Sequence, residues 1–192
     1  PIVCDMSSDI CSRQVDVSRY GVIYAGAQKN LAPAGVTIVI VKKELAGHEL
    51  PITPKMLGWQ IEIEKDSMYN TPPCWCIYML GLVCDWLESQ GGVAGMETIK
   101  HGKAQMLYDV IDNSRLFHCA AQPGSRSDMN VTFRTDSAEL DAKFVAESTE
   151  QGFSNLKGHR KVGGMRASIY NAMPIEGVEK LCEFIKHFDQ NN

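Results

Sequence analysis

The sequence predicts an α/β protein in which residues 1–92 end a large α/β domain, residues 93–114 form a linking helix and residues 115–192 form a small α+β domain. Residues 36–41 are an unbroken β-branched run, which is typical of a strand covered on both faces of an α/β sheet. Apolar stretches of helical length follow this run. The chain then changes to short alternating segments mixed with amphipathic helices, which is typical of an α+β domain.

Two further strands and one helix are predicted in the first part of the chain. Residues 2–4 predict a strand that ends in a polar cluster at residues 5–9, and residues 21–26 predict a strand that ends at residues 27–30. A turn at residues 69–73 contains two prolines, which are tolerated in a first helical turn. These prolines predict the start of an apolar helix that runs through Trp86. Gly91 and Gly92 end this helix.

The second part of the chain predicts a helix over residues 93–111, followed by strands and helices in alternation. Residues 129–135 alternate as a half-buried strand does. Leu140 and Phe144 mark one face of a helix that Gly152 ends. Strands are predicted at residues 153–156 and 167–170. Pro174 opens the last helix, whose predicted apolar face consists of Ile175, Val178, Leu181, Cys182, Ile185 and Phe188.

Composition excludes several classes of protein. The net charge of −4 leaves no basic excess for binding nucleic acid. The seven cysteines are irregularly spaced and lack a second ligand pair for a metal, so we expect most of them to be reduced core residues. No apolar run reaches the roughly 20 residues that span a bilayer, and no targeting signal is visible, which predicts a cytoplasmic protein.

The chain begins with Pro1 rather than with a methionine, inside the first predicted strand. We therefore expect the natural protein to extend upstream and this chain to be a fragment of it.

Asp5 and Lys29 are the first candidates for chemistry, because each follows the end of a predicted strand. If these strands are parallel neighbours, both side chains face the sheet edge where open α/β folds place ligands. Catalysis with pyridoxal phosphate (PLP) needs such a pair, since a lysine amine binds the cofactor covalently and a carboxylate keeps its pyridine nitrogen protonated. Taken alone, an aspartate and a lysine are common residues, and most lysines at strand ends are solvated.

Longer motifs give a more specific indication. Residues 22–30 (VIYAGAQKN) resemble the cofactor-lysine segment of the phosphoserine aminotransferase family, a class V family of PLP enzymes of fold type I. Residues 5–8 (DMSS) resemble the pyridine-binding strand end of that family. Matches of the same kind, in the same order along the chain, occur at residues 69–73 (YNTPP), 111–114 (IDNS), 126–130 (RSDMN), 157–160 (KGHR) and 163–168 (GGMRAS).

The resemblance implies the C-terminal part of a fold type I large domain, with a mostly parallel sheet, followed by the small domain. It implies that Lys29 is the Schiff-base lysine, that Asp5 is the partner of the pyridinium nitrogen and that Gln28 lies beside the cofactor phosphate. It also implies a homodimer in which Asn70 and Thr71 reach that phosphate from the other subunit.

Three further residues would bind the substrate, a small phosphorylated amino or keto acid. The family exchanges an amino group between glutamate and 3-phosphohydroxypyruvate in serine biosynthesis, and in many bacteria it also acts on a phosphorylated hydroxythreonine in vitamin B6 synthesis. By position, Arg166 is expected to bind the α-carboxylate, and His159 with Arg160 the substrate phosphate or distal carboxylate. Arginine suits this role because its guanidinium is permanently charged and binds such groups in a bidentate manner.

Alternative functions remain open at the level of sequence. Another class V enzyme, such as an alanine–glyoxylate transaminase or a cysteine desulfurase, would also use Asp5 and Lys29. A non-catalytic interaction module derived from such an enzyme is a further alternative. The resemblance covers only the second half of the family's length, without the upstream loop that holds much of the cofactor phosphate. We therefore expect the isolated chain to bind PLP weakly and to lack useful activity.

Overall fold

The computed structural model describes residues 1–192, which form two compact units, Pro1–Met96 and Glu97–Asn192. No helix in the structure is both long enough and apolar enough to cross a membrane. All seven cysteines are free thiols: Cys76 and Cys182 are buried, Cys74 is exposed and the others are half-buried.

The first unit contains a three-stranded mixed sheet in the order β1 (Val3–Asp5), β2 (Val22–Gly26) and β3 (Thr37–Val41). Strands β1 and β2 are parallel, as a shared edge for Asp5 and Lys29 requires, with Asp5 opposite Tyr24. Strand β3 runs antiparallel to β2 and exposes about two fifths of Val39 and Ile40. The expectation of a strand covered on both faces is therefore not met within this chain.

Three α-helices follow the sheet: α1 (Trp59–Glu64), α2 (Cys74–Ser89) and α3 (Gly92–Asp112). The start of α2 directly after the prolines was predicted correctly. Gly91 and Gly92 separate α2 from α3 in the left-handed region, with φ of +89° and +66°, where glycine is not penalised. Sequence analysis missed α1 and three short 3₁₀ helices at Val17–Arg19, Lys43–Leu45 and Lys55–Leu57.

The core of the first unit lies around the buried face of β2. Ile23, Ala25 and Ala27 are 2%, 0% and 0% exposed, so the segment that leads to Lys29 is fixed by packing. The other buried members of this cluster are Met6, Ile10, Leu31, Leu87 and Met96. Because each buried methylene contributes about 0.8 kcal/mol, this small cluster is enough to hold the β2 segment in one place.

The second unit is an antiparallel sheet, β4 (His118–Cys119), β5 (Asn130–Arg134) and β6 (Met165–Ser168), with helices α4 (Ala138–Glu150) and α5 (Ile175–Asn191). The predicted strand at residues 129–135 is confirmed. The strand predicted at residues 153–156 is wrong, since this stretch forms no strand and only Lys157 bridges to Met165. A 3₁₀ helix spans Pro123–Ser125.

The core of the second unit is aromatic. Phe144 is fully buried and packs against Phe117, Phe133 and Phe188 with ring centroids 5.1, 5.8 and 5.2 Å apart. Helix α5 buries Val178, Leu181, Cys182, Ile185 and Phe188, as its spacing predicted, whereas Ile175 at its start is exposed. The hydroxyl of Ser137 caps α4 by accepting a hydrogen bond from the Leu140 amide.

Replacing Phe144 by Ala should lower the free energy of unfolding of this unit by about 3–5 kcal/mol, because it leaves a cavity in the centre of the aromatic cluster. Urea denaturation of the purified chain measures this loss. The matched control is Val162→Ala, since the Val162 side chain is 63% exposed and its truncation should change little. Equal losses for the two variants would contradict the assignment of Phe144 to the core.

Candidate active site

Strands β1 and β2 place Asp5 and Lys29 on one side of the first unit. Asp5 is the last residue of β1, and β2 ends at Gly26, three residues before Lys29. Because β1 and β2 are parallel, both chain segments leave the sheet at the same edge. The Asp5 and Lys29 side chains are both exposed there, so both are accessible to a ligand.

The carboxylate of Asp5 is held in its charged form. The Ser7 hydroxyl and the Ser7 amide both donate to Asp5 Oδ1, at 2.5 and 2.8 Å, and these bonds lower the pKa of Asp5 below its usual value. Desolvation opposes this effect, while the Lys29 ammonium and the Tyr24 side chain add to the lowering of the pKa. An anionic carboxylate at this position can accept hydrogen bonds from a cationic group of a ligand.

The loop that carries Lys29 is tied to the segment after Asp5 on both sides of the lysine. Before it, the Gly26 amide donates to Ser7 Oγ at 3.0 Å. After it, the buried Asn30 side-chain amide donates to the carbonyls of Ser8 and Ile10, at 3.3 and 3.1 Å. These bonds join residues that are about 20 positions apart in the sequence, and they fix the position of the Lys29 backbone relative to Asp5.

The Gln28 side chain lies over Gly26. A Cβ atom built on Gly26 would be only 2.8 Å from Gln28 Oε1, so the absence of a side chain at Gly26 leaves room for the amide. Asn70 and Thr71 lie on the irregular segment before α2, where both residues are exposed. The structure therefore brings Asp5, Gln28 and Lys29 together.

His159, Arg160 and Arg166 belong to a hairpin of the second unit. The Gly158 amide donates to the Gly164 carbonyl at 2.8 Å, and this bond closes a loop that exposes His159 and Arg160. Gly164 has a φ of +64° and lies close to the backbone of β5, since a Cβ atom there would lie 2.7 Å from the Phe133 carbonyl oxygen.

Arg166 lies on β6 opposite Thr132, on the face of the sheet that carries polar side chains. Its Nε is buried without a hydrogen-bond partner, and it makes no salt bridge. An unpaired buried donor of this kind costs about 1–3 kcal/mol, which is a reason to assign it a ligand. Next to it, Ser168 donates to Asn130 Oδ1 at 3.0 Å.

Sequence reasoning singled out His159 and Arg160 but missed the cavity that they line. This cavity of about 760 Å³ lies between the hairpin and α4, and two further cations, Arg134 and Lys157, also line it. Asp136, Asp141 and Glu150 also line this cavity, so its lining is of mixed charge rather than uniformly positive. Arg134 could not be found from its neighbours in sequence, because the β5–β6 pairing alone brings it to the hairpin.

Ser7 and Asn30 are the other residues that sequence analysis did not single out. The Asp5–Ser7 spacing carried a signal, since a serine two residues after an aspartate often closes a local turn through its amide and hydroxyl. The bond from Gly26 to Ser7 carried no signal, because it depends on how β1 and β2 pair.

The backbone conformation at Gly164 can be tested by adding a side chain there. Gly164→Ala should destabilise the second unit by about 1–3 kcal/mol, because it combines a left-handed residue with a close approach to backbone. Thermal unfolding of the chain followed by circular dichroism measures the loss. Gly124→Ala is the matched control, since Gly124 has no heavy atom near its Cβ position and no positive φ. A variant at Gly164 as stable as this control would contradict the described hairpin.

Known proteins are similar to this sequence over nearly its whole length. The family described as Aminotransferase class-V matches residues 1–181 of the chain. A phosphoserine aminotransferase of Herminiimonas arsenicoxydans is 53% identical over 190 residues, which cover 99% of this chain and 52% of that protein. The chain therefore spans about half the length of the curated relatives it matches.

Solved structures agree with the relatives. A phosphoserine aminotransferase studied for radiation damage of its Schiff base aligns with a TM-score of 0.97 and 49% identity, over 100% of this chain and 54% of that one. A PLP-bound phosphoserine aminotransferase from Trichomonas vaginalis aligns with a TM-score of 0.91 and 37% identity, over 97% and 53% of the two chains. The predicted fold, the C-terminal part of a PLP-dependent transferase of fold type I, is confirmed by these alignments.

Proposed function

Because this chain belongs to the aminotransferase class-V family, we propose that the whole protein is a PLP-dependent phosphoserine aminotransferase. It would exchange an amino group between glutamate and 3-phosphohydroxypyruvate in serine biosynthesis, and the phosphohydroxythreonine step of vitamin B6 synthesis is a related use of the same site. The observation that carries this proposal is that hydrogen bonds on both sides of Lys29 fix its backbone relative to the segment after Asp5, where the parallel strands β1 and β2 end.

The residues of the first unit fit PLP by their chemistry. When bound, PLP supplies an aldehyde for a lysine and a ring that withdraws electrons from the substrate α-carbon. In this role Asp5 orients the ring and holds the proton on its nitrogen through a carboxylate that Ser7 keeps ionised. The Nζ atom of Lys29 binds the cofactor and moves the proton at the substrate α-carbon. Gln28, whose side chain lies over Gly26, would help to hold the cofactor phosphate.

The second unit provides residues suited to an anionic substrate. The unpaired Nε of the Arg166 guanidinium is suited to a carboxylate, which a guanidinium can bind with two hydrogen bonds. His159 and Arg160, with Lys157 and Arg134 on the same cavity, are suited to a phosphate or a distal carboxylate. The cations of Arg134, Lys157 and Arg160 only equal in number the carboxylates of Asp136, Asp141 and Glu150 on this cavity. The case for a phosphorylated substrate over that of an alanine–glyoxylate transaminase or a cysteine desulfurase therefore rests on the clustering of the three cations on and beside the hairpin.

The covalent role of Lys29 is tested in the whole protein. Lys29→Ala should remove the visible absorption of lysine-bound PLP and lower the turnover of phosphoserine by several orders of magnitude. The matched control is Lys42→Ala, which removes an exposed lysine directly after β3 of the same unit. If the Lys29 variant retains turnover while circular dichroism shows an intact fold, the covalent role of Lys29 is wrong.

The shared site proposed for the homodimer needs a different test. Asn70 and Thr71 are proposed to reach the cofactor phosphate of the partner subunit, so each site would contain residues of both chains. Mixing an inactive Lys29→Ala protein with an inactive Asn70→Ala, Thr71→Ala protein should then restore about a quarter of wild-type activity, because half of the dimers are hybrids with one intact site. No recovery after unfolding and refolding of the mixture would place these residues in their own subunit's site.

A further inference from the structure

The Ser7 side chain connects two parts of the candidate site. Its hydroxyl donates to Asp5 Oδ1 at 2.5 Å and accepts a hydrogen bond from the Gly26 amide at 3.0 Å. A serine hydroxyl has one proton to donate, so the short bond to the carboxylate uses its donor and leaves a lone pair for Gly26. The result is a continuous chain of hydrogen bonds from the end of β2 to the carboxylate at the end of β1.

This chain of hydrogen bonds has two consequences. Both bonds from Ser7 reach the same oxygen, Oδ1, so neither of them occupies Asp5 Oδ2; the Tyr24 side chain also forms a hydrogen bond with this carboxylate. The bond to Gly26 also fixes the carboxylate relative to the loop that carries Lys29, three residues further on. Hydrogen bonds in series polarise one another, so the Gly26 dipole strengthens the bond from Ser7 to Asp5.

We propose that Ser7 is a positioning residue for the transamination, which holds Asp5 Oδ1 so that Oδ2 meets the ring nitrogen of the cofactor at a fixed place relative to Lys29. This inference rests on the proposed function of the whole protein. Ser7 touches neither substrate nor cofactor in this role and acts through Asp5.

A purely local role is the competing explanation, and the chain contains an internal comparison for it. Asp16 and Ser18 repeat the Asp5–Ser7 motif: the Ser18 amide and hydroxyl donate to Asp16 Oδ1 at 3.0 and 2.5 Å. There the motif caps a short 3₁₀ helix. Ser7 alone of the two serines accepts a bond from a residue 19 positions away, the amide of Gly26. The long-range bond is thus the feature that distinguishes Ser7 from an ordinary turn serine.

Both motifs lower the pKa of their aspartate, and in both the hydrogen bond from the serine side chain is the largest cause. Besides the Ser7 hydroxyl and the Ser7 amide, the groups that lower the pKa of Asp5 are Lys29 and the Tyr24 side chain. Removing the hydroxyl of either serine should therefore raise the pKa of the adjacent aspartate. Only at Ser7 should the change reach the cofactor.

The test compares Ser7→Ala with Ser18→Ala in the whole protein. Carbon-13 NMR of the aspartate carboxyls, with PLP removed, should show a higher pKa for Asp5 in the first variant and for Asp16 in the second. With PLP restored, Ser7→Ala alone should lower kcat by roughly ten- to a hundredfold, as expected for the loss of a charge-assisted hydrogen bond, with KM nearly unchanged. The acid limb of its kcat–pH profile should move to higher pH, because Asp5 must be ionised.

Two further variants keep the result interpretable. Ser7→Thr retains the hydroxyl and should restore most of kcat, whereas Ser7→Cys keeps the size of the side chain with a much weaker donor and should behave as Ser7→Ala does. If Ser7→Ala unfolds, Ser7→Cys supplies the comparison.

An Asp5 pKa that does not rise, or a kcat for both the Ala and the Cys variant within twofold of Ser18→Ala, would overturn the proposal. Failure of the proposed function is a separate result, since wild-type protein would then neither absorb as lysine-bound PLP nor turn over phosphoserine. The Asp5 pKa measured without PLP still reports on the link from Ser7 to the carboxylate in that case.

Discussion

The hydrogen bonds that join the segment after Asp5 to the loop around Lys29 are the constraint on which the first candidate site depends. A parallel pair of strands brings two chain ends to one edge but does not fix the loops beyond them. Here Gly26 and Asn30, on either side of Lys29, both bond to residues that come after Asp5. The buried alanines of β2 and of the adjoining turn hold the intervening backbone, so Lys29 is exposed while its neighbours are fixed. This combination leaves the side chain of Lys29 accessible to solvent on a backbone whose position is fixed.

The second unit fixes the backbone of its hairpin in a different way. Its hairpin depends on close backbone contacts that only glycine allows. Gly158 lies against the backbone of Gly163, and Gly164 lies against the backbone of Phe133. The tip of the hairpin is exposed, and the aromatic cluster around Phe144 supports the sheet from below. Exposed cations on a closely packed backbone suit the binding of anions. The backbone is already fixed, and the planar guanidinium loses little entropy for each hydrogen bond that it forms.

Sequence reasoning predicted the Asp5–Lys29 pair because strand ends in a parallel arrangement coincide, which needs only the order of the strands. It predicted α2, α3 and α5 because proline, paired glycines and an unbroken apolar face mark them. It could not predict that β3 would be antiparallel, because a β-branched run has the same composition in either direction. It also placed a strand at residues 153–156, where Phe153 and Leu156 pack against the core and a single backbone hydrogen bond, from the Arg166 amide to the Leu156 carbonyl, joins the stretch to β6. The hydrogen bond from the Gly26 amide to Ser7 Oγ depends on the register of β1 and β2, so local sequence patterns could not predict it.

Two arginines show why the roles of site residues need the structure. Arg126 and Arg166 both lie in segments that resemble the family, and nothing in the residues around them separates a structural from a binding role. In the structure Arg126 is committed: it forms two bonds of 2.6 Å with Asp112, and its guanidinium lies 4.6 Å from the centroid of the Tyr108 ring. The bonds from Arg126 hold the pKa of Asp112 below its usual value. Burial raises the pKa of Tyr108 to about 12, although the cation opposes this rise.

Arg166 is the opposite case, because none of the salt bridges in the chain includes it. Both arginines bury an Nε without an acceptor, but the charge of Arg126 is neutralised within the fold by Asp112, whereas the charge of Arg166 is not. A folded protein retains an unpaired buried donor only where the surrounding packing compensates its cost. The pairing of β6 with β5 fixes the backbone at Arg166 opposite Thr132, so the unpaired donor stays in place although it costs free energy.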